Sequence, residues 1–403
     1  MAAAMKLSMR FNRLEAAGAL GDLGTLLPLA IGMILVNGLS PSGIFLPVGL
    51  YYIFSGLYYK VPTAVQPMKV ISAYAVAAAL SAQQVMAASL AMAVILLIVG
   101  TSGAITWISK HTPKSVVRGV QLSTGVLLMI QGIKCMVGTS TLQQLGHVAE
   151  PYLAWQQIGP VPVGVPIGVA GMLLTLFLLD NRKLPAGLVI IFFGVTLGLC
   201  LGAYRSLASF GLQVGMPALV PLGLPSKIDF TFAIFALVLP QVPMTIGNAV
   251  LANADLSQQY FGDASRKVTG RSLCISMALA NLVSFLFGGM PMCHGAGGLA
   301  AHYRFGARTA GSNLIIGIFM VAAVILIGDQ LLDLFHLIPY AILGVLLFFA
   351  GGQLALTISD LQKRSELFTA MSMLGIALAT NLAVGFLTGL FLAFFLGRRQ
   401  ITP

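Results

Sequence analysis

The sequence predicts an all-α polytopic membrane protein, with about fourteen crossings in a seven-plus-seven inverted repeat that includes two half-helices. Three observations predict it. Of 403 residues, 58% are hydrophobic and only 8% charged, and the mean hydropathy is +0.95; soluble domains carry about 25% charged residues. The 40 positions from Val70 to Ser109 and the 31 from Leu367 to Gly397 contain no Asp, Glu, Lys or Arg. At roughly 20 residues per crossing each run holds a helical hairpin, whereas a closed barrel shows alternating segments of about 10 residues. Third, a set of motifs recurs in the same order in the two halves.

Breaks at charges, prolines and glycines place the crossings at 14–36, 43–60, 62–81, 84–108, 113–135, 161–179, 184–203, 230–254, 269–288, 289–303, 309–327, 337–357, 366–377 and 379–397. Residues 1–13 are basic, but the first apolar stretch carries Asp22 and lacks a small-residue cleavage site. They read as a cytoplasmic N-terminus before a retained helix, not as a signal peptide. Met136–Pro160 and the Gly- and Pro-rich Tyr204–Ser226 read as linkers. With both termini cytoplasmic, eighteen of the 22 Lys and Arg lie inside, Lys134, Arg205 and Lys227 lie outside, and Lys69 falls within a span. That asymmetry is the positive-inside pattern. It accounts for most of the +11 formal charge, so no nucleic-acid partner is expected. Cys135, Cys200, Cys274 and Cys293 form no C-x-x-C pair, which argues against a zinc cage or a disulfide framework.

The repeat is read from three correspondences. Gly21-Asp-Leu-Gly-Thr-Leu-Leu-Pro28 in the first span matches Leu239-Pro-Gln-Val-Pro-Met-Thr-Ile-Gly-Asn248 in the eighth. Val61-Pro-Thr-Ala-Val-Gln-Pro-Met-Lys69 opens the third span as Met290-Pro-Met-Cys-His-Gly-Ala-Gly-Gly298 opens the tenth. Pro113 precedes Gly125 by 12 residues, as Pro339 precedes Gly351. An odd number of crossings per half inverts the second copy.

Pro62 and Pro67 predict extended backbone over Val61–Gln66, with a helix starting at Pro67 and running towards Leu80. Pro291, with Gly295, Gly297 and Gly298, plays the same part in the second copy. Bare extended backbone in a bilayer is tolerated only inside protein or beside a wet cavity, and paired broken helices point to a transporter's substrate site. Two opposed helix N-termini present free amides and partial positive charge, which selects an anion. Lys69 adds a full charge, and a tetrahedral oxyanion suits donors from several directions. The competing reading is that the prolines kink packed helices and Lys69 snorkels.

Asp22 is the one carboxylate deep in the apolar map, and burying its charge costs ~2.5–3.5 kcal/mol or more. Either it takes up a proton to accompany the anion, or it forms a fixed salt bridge with Lys69. Glu15, near the inner edge, reads as solvated. Thr25, Gln241, Thr245 and Asn248 are candidate donors to substrate, the last three on one helix face; helix–helix hydrogen bonds are the alternative use of such groups. Cys293 and His294 adjoin the second half-helix as further candidates, with no metal site expected. His111, His147, His302 and His336 read as solvated. No Walker loop, G-x-S-x-G elbow or H-E-x-x-H pair is present, so neither an enzyme nor a cofactor is expected.

The third-span and eighth-span blocks closely resemble the two signature blocks of the molybdate transporter family. That family is related to the sulfate permease (SulP) transporters and occurs in plants, algae and bacteria. The resemblance implies substrate contacts at Gln66, Pro67, Met68, Lys69, Gln241, Thr245 and Asn248, and at Cys293, His294, Gly295, Ala296 and Gly297 in a third block. It implies a core domain (14–108 and 230–327) and a gate domain (109–203 and 328–403), joined by a linker at 204–229. Sulfate permeases usually carry a STAS domain; only Gly397–Pro403 follow the last span, so none is expected. The expected function is secondary active import of molybdate, with sulfate next, by alternating access and proton symport. Surrounding lipid is an expected partner, in a bacterial inner membrane or a eukaryotic membrane, and the resemblance implies a second copy of the chain as another (a homodimer through the gate). A passive anion channel is the alternative; a nucleobase symporter is disfavoured, because span eight offers no central carboxylate.

Overall fold

The computed structural model describes residues 9–399 apart from 180, 182, 183, 212, 213 and 216. Lys6, Arg182 and Lys183 of the charge map therefore lie outside the described residues. The predicted first span is two helices, Arg13–Ala19 (α1) and Leu23–Asn37 (α2), broken at residues 20–22. Pro41–Tyr59 (α3) follows, then the short strand Gln66–Pro67 (β1), Lys69–Ala77 (α4) and Ala82–Ser102 (α5). The predicted span 84–108 ends early; Gly103 in the left-handed conformation (φ 75°) separates α5 from Ile105–His111 (α6). Lys114–Val137 (α7) leads into a linker with Thr141–Gly146 (α8) and the paired strands Gln157–Ile158 (β2) and Val161–Pro162 (β3). Gly164–Leu178 (α9) and Ala186–Cys200 (α10) close the first half.

The predicted span 230–254 is longer than expected, running from Lys227–Phe232 (α11) through Leu239–Met244 (α12) to Asn253–Phe261 (α13). Between these lie π-helical turns over Ala233–Val238 and Thr245–Ala252. Pro240 and Pro243 have no N–H to give the carbonyls of Ala236 and Leu239, and the wider turns lie on both sides of that interruption. The chain continues through Gly270–Leu286 (α14), Met292–Cys293 (β4), Ala296–Arg304 (α15), Gly311–Ile327 (α16), Leu331–Phe335 (α17), Tyr340–Ala355 (α18), Arg364–Ala379 (α19) and Leu382–Arg399 (α20). Among the described residues six helical segments are long and apolar enough to cross a membrane, and four further apolar helices are shorter.

Small residues set the helix packing. A methyl group on Gly132 would meet the Gly344 carbonyl oxygen at 2.5 Å, and one on Gly125 the Gly351 oxygen at 2.5 Å. The backbones of α7 and α18 therefore touch at two levels, a close approach open only to glycine. The other large packings run between the halves, α3 against α16 and α5 against α14.

At the centre β1 and β4 pair antiparallel, Gln66 opposite Cys293 and Pro67 opposite Met292. This pairing delays helix α4, which begins at Lys69, two residues after the predicted start, because the Met68 N–H donates to the Pro291 carbonyl (2.9 Å). Buried Asn side chains complete the extended segments. Asn281 accepts from Met292 N–H (2.9 Å) and donates to its carbonyl (2.7 Å), while Asn313 does the same for Thr63 (3.1 and 2.8 Å). Each thus supplies the donor and acceptor that a neighbouring strand would have offered, as low-dielectric surroundings require.

Two side chains expected in solvent are buried instead. Glu15, 2% exposed, accepts from Arg308 N–H, Thr309 N–H and the Thr309 hydroxyl at 2.9–3.1 Å. Free amides before α16 need an acceptor there, which is why the carboxylate turns inward. His302 is fully buried, its Nδ1–H donating to the Gly18 carbonyl (2.7 Å). His336 is half-buried and stacks on Tyr152, whose hydroxyl lies 2.8 Å from Nε2; His111 and His147 are exposed as expected.

In the linker, the buried Glu150 carboxylate caps α18, accepting from Tyr340 and Ala341 N–H, both at 2.7 Å. Burial outweighs these bonds and pushes Glu150 up from 4.5 to about 7. Its contribution to stability is therefore complete below about pH 4.5 and lost as pH rises through about 7. Melting of the detergent-solubilised protein should fall between pH 5.5 and pH 8, and Glu150→Gln should flatten that slope. Parallel slopes for both proteins would refute the assignment.

Candidate functional site

The half-helices α4 and α15 each have nine residues and start beside the β1–β4 pair. Between them and the α7–α18 pair lies a cavity of about 250 Å³, lined by Gly24, Thr25, Leu29, Lys69, Met244, Asn248 and Gly297 on one wall and by Arg118, Gln121, Ala350, Gln353, Leu354 and Thr357 on the other. At ~30 Å³ per water, that is room for roughly eight waters, enough for a small hydrated ion. A second cavity of about 290 Å³ shares Arg118, Gln121, Met244 and Asn248, and extends to Lys114 and Ser109. The two cavities adjoin at these shared residues, and the second reaches the basic residue Lys114. Deeper in, a recess is lined by Lys69, Gln241, Met244, Thr245, Asn248, Ala249 and Cys293.

Thr25, Lys69, Gln241, Thr245, Asn248, Cys293 and Gly297 are thus brought together, with Ala296 at the first helical position beside Gly297. Gly297 is exposed to the cavity, and the Ala296 and Gly297 amides have no acceptor among the described residues. The α15 terminus accordingly offers free donors and the positive end of its dipole. The α4 terminus does not match the expectation of free amides. Gln241 Oε1 accepts from Val70 N–H (2.9 Å) and Ile71 N–H (3.2 Å), and its Nε2 donates to Thr245 Oγ1 (2.9 Å). What α4 presents to the cavity is the Lys69 side chain.

The remaining sequence candidates stand behind the cavity. Met68 is fully buried and caps α4, and Pro67 is held in the strand pair. His294 is fully buried: its Nδ1–H donates to the Ala64 carbonyl (2.7 Å), leaving Nε2 to accept from the Tyr51 hydroxyl (2.7 Å). Both ring nitrogens are thus engaged with protein groups. Gln66 donates from Nε2 to Asp22 Oδ1 (2.5 Å), and its carboxamide lies where a methyl on Gly295 would sit.

Asp22 is fully buried at the break between α1 and α2, with Oδ2 unpartnered. The alternative salt bridge to Lys69 is not formed; the ion pairs among the described residues are Arg118–Asp360 (2.6 Å) and Lys114–Asp360 (3.4 Å). Arg118, Gln121, Gln353 and Thr357 were missed from sequence, Arg118 because it was counted with the inner-loop charges. Arg118 Nη1 donates to Gln121 Oε1 (2.7 Å) and Thr357 Oγ1 to the same oxygen (3.1 Å). Polar residues three and four apart in otherwise apolar helices (118 and 121, 353 and 357) were the available signal.

Known proteins share this architecture. The transmembrane domain of a cyanobacterium bicarbonate transporter, BicA, superposes with a TM-score of 0.66 over 95% of this chain and 98% of that one, at 17% identity. Murine solute carrier 26 family member A9, an anion transporter in its inward-facing state, gives 0.67 over 96% and 68%, at 13% identity. The fold is that of an integral, multi-pass membrane protein. The model of the family described as "Molybdate transporter of MFS superfamily" matches residues 14–128 and 233–354. Molybdate transporter 2 of Arabidopsis thaliana is 30% identical over 96% of this chain and 88% of its own length, and Molybdate transporter 1 of Chlamydomonas reinhardtii 29% identical over 93% and 90%. The chain belongs to the molybdate transporter family, whose members move an oxyanion.

Proposed function

We propose that this protein is a secondary active transporter that imports a tetrahedral oxyanion, molybdate first and sulfate next, by alternating access. The observation that carries the reading is the cavity with Lys69 and the free α15 terminus on one wall and Arg118 on the other. Its cationic lining and open amides favour a small oxyanion. One wall belongs to segments 14–108 and 230–327, the proposed core, and the other to 109–203 and 328–403, the proposed gate. The crosswise packing of α3 with α16 and α5 with α14 supports fourteen crossings in two inverted sevens. With both termini cytoplasmic, the adjoining cavities reach Lys114 on the basic inner face, an inward-open arrangement. Thr25, Thr245 and Asn248 are the proposed further donors to the anion, and Gln66, His294 and Gly295 hold the strand pair in place.

Proton symport fits the energetics, because importing a dianion against a negative-inside potential costs about 2.3 kcal/mol per charge per 100 mV. Asp22, with its unpartnered Oδ2 beside α15, is the proposed proton carrier. Asp22→Asn should flatten the pH dependence of uptake; an unchanged pH profile would remove Asp22 from coupling. Dimerisation through the gate segments belongs to the same proposal. Uptake of labelled molybdate into proteoliposomes against excess sulfate tests the assignment. Accumulation of neither anion would overturn it, and current without concentrative uptake would indicate a channel.

A further inference from the structure

We propose that the Gln241 carboxamide is a displaceable stand-in for the transported anion: its oxygen holds the seat at the start of α4 that an oxyanion oxygen takes during transport. This inference rests on the oxyanion reading above. Two consecutive amides, Val70 and Ile71, converge on Gln241 Oε1 at 2.9 and 3.2 Å. Such convergence at a helix N-terminus is how backbone holds phosphate or sulfate. The side chain is 1% exposed and lines a recess together with Lys69, Thr245, Asn248 and Cys293. The larger open cavity begins next to it and shares Lys69, Met244 and Asn248. An anion in the cavity is therefore adjacent to the seat, with a neutral oxygen already in it.

The exchange is favourable in direction because hydrogen bonds to a charged acceptor are roughly twice as strong as those to a neutral one. It also keeps the two amides satisfied in both states, which surroundings without bulk water demand. The carboxamide is tethered at its other end, Nε2 donating to Thr245 Oγ1 (2.9 Å). Rotation about the Gln241 side-chain torsions withdraws Oε1 from the seat while Nε2 keeps its bond to Thr245.

The test compares half-saturation and maximal uptake in proteoliposomes for the wild type, Gln241→Glu and Gln241→Ala, using whichever of molybdate or sulfate the wild type accumulates. With Gln241→Glu at pH 7.5 a charged occupant competes for the seat, and half-saturation rises more than tenfold with a smaller change in maximal rate. Normalised to wild type, that loss recovers towards pH 5.5 as the carboxyl becomes neutral. Gln241→Ala empties the seat, and half-saturation stays at or below the wild-type value. A raised value in Gln241→Ala identifies a fixed ligand and overturns the proposal. Should that variant fail to fold, Gln241→Ser takes its place, and a raised half-saturation there overturns the proposal in the same way. Wild-type accumulation of neither anion removes the oxyanion reading and this one with it; wild-type uptake with Gln241→Glu unaltered removes this one alone.

Discussion

Replacing Lys69 by alanine is expected to raise half-saturation for oxyanion uptake roughly 10- to 100-fold. Lys69 is the side chain that α4 presents to the cavity, and it also borders the deeper recess. Hydrogen bonds to charged groups contribute ~1.5–3 kcal/mol, and each 1.4 kcal/mol is about a factor of ten. No ion pair between Lys69 and Asp22 exists to be broken, and Gln66 satisfies one Asp22 oxygen independently. The loss should therefore fall on binding and leave the folded yield unchanged. Size-exclusion profiles and uptake curves of the variant separate the two; unaltered kinetics would make the lysine a snorkelling residue.

The second large effect is expected from a single methyl group. A Cβ on Gly298 would lie 2.5 Å from Asp22 Oδ2 and 2.6 Å from both Gln66 Nε2 and the Ala64 Cβ. Those atoms belong to two segments, the break between α1 and α2 and the extended stretch that enters β1, and Gln66 is itself part of the strand pair. Overpacking of this kind costs ~1–3 kcal/mol, and the displaced groups are the proposed proton carrier and its hydrogen-bond partner. Gly298→Ala should lower the melting temperature and reduce uptake at least tenfold. Gly297→Ala is the control for stability, because a methyl there meets nothing within 4 Å. Equal melting temperatures for the two variants would show that the packing at Gly298 is looser than the geometry implies.

Much of this arrangement was legible in the sequence because membrane burial leaves few choices. Pro62, Pro67 and Pro291 remove backbone donors in apolar surroundings, and that predicts extended backbone where β1 and β4 are found, though not that the two segments pair with each other. The sequence could not show what faces those segments. The Gln241, Thr245 and Asn248 spacing identified a shared face, but not that Gln241 spends its oxygen on α4. Glu15 and His302 were misplaced for a related reason: position near a span end suggested water, while the tertiary fold supplied amides and a carbonyl to bond. The opposite wall went unread because Arg118 resembled a topology charge. Its role depends on Gln121 and Asp360, and the latter lies 242 residues away.

The strand pair has a mechanical consequence. Because Gln66–Pro67 and Met292–Cys293 are zipped together, the starts of α4 and α15 are coupled like two jaws of one vice. Under the alternating access proposed above, any excursion across the bilayer carries both jaws as a unit, and the grip on the cargo keeps its shape along the whole stroke. Differences between loading on one face and discharge on the other must then originate in the surfaces the vice slides past.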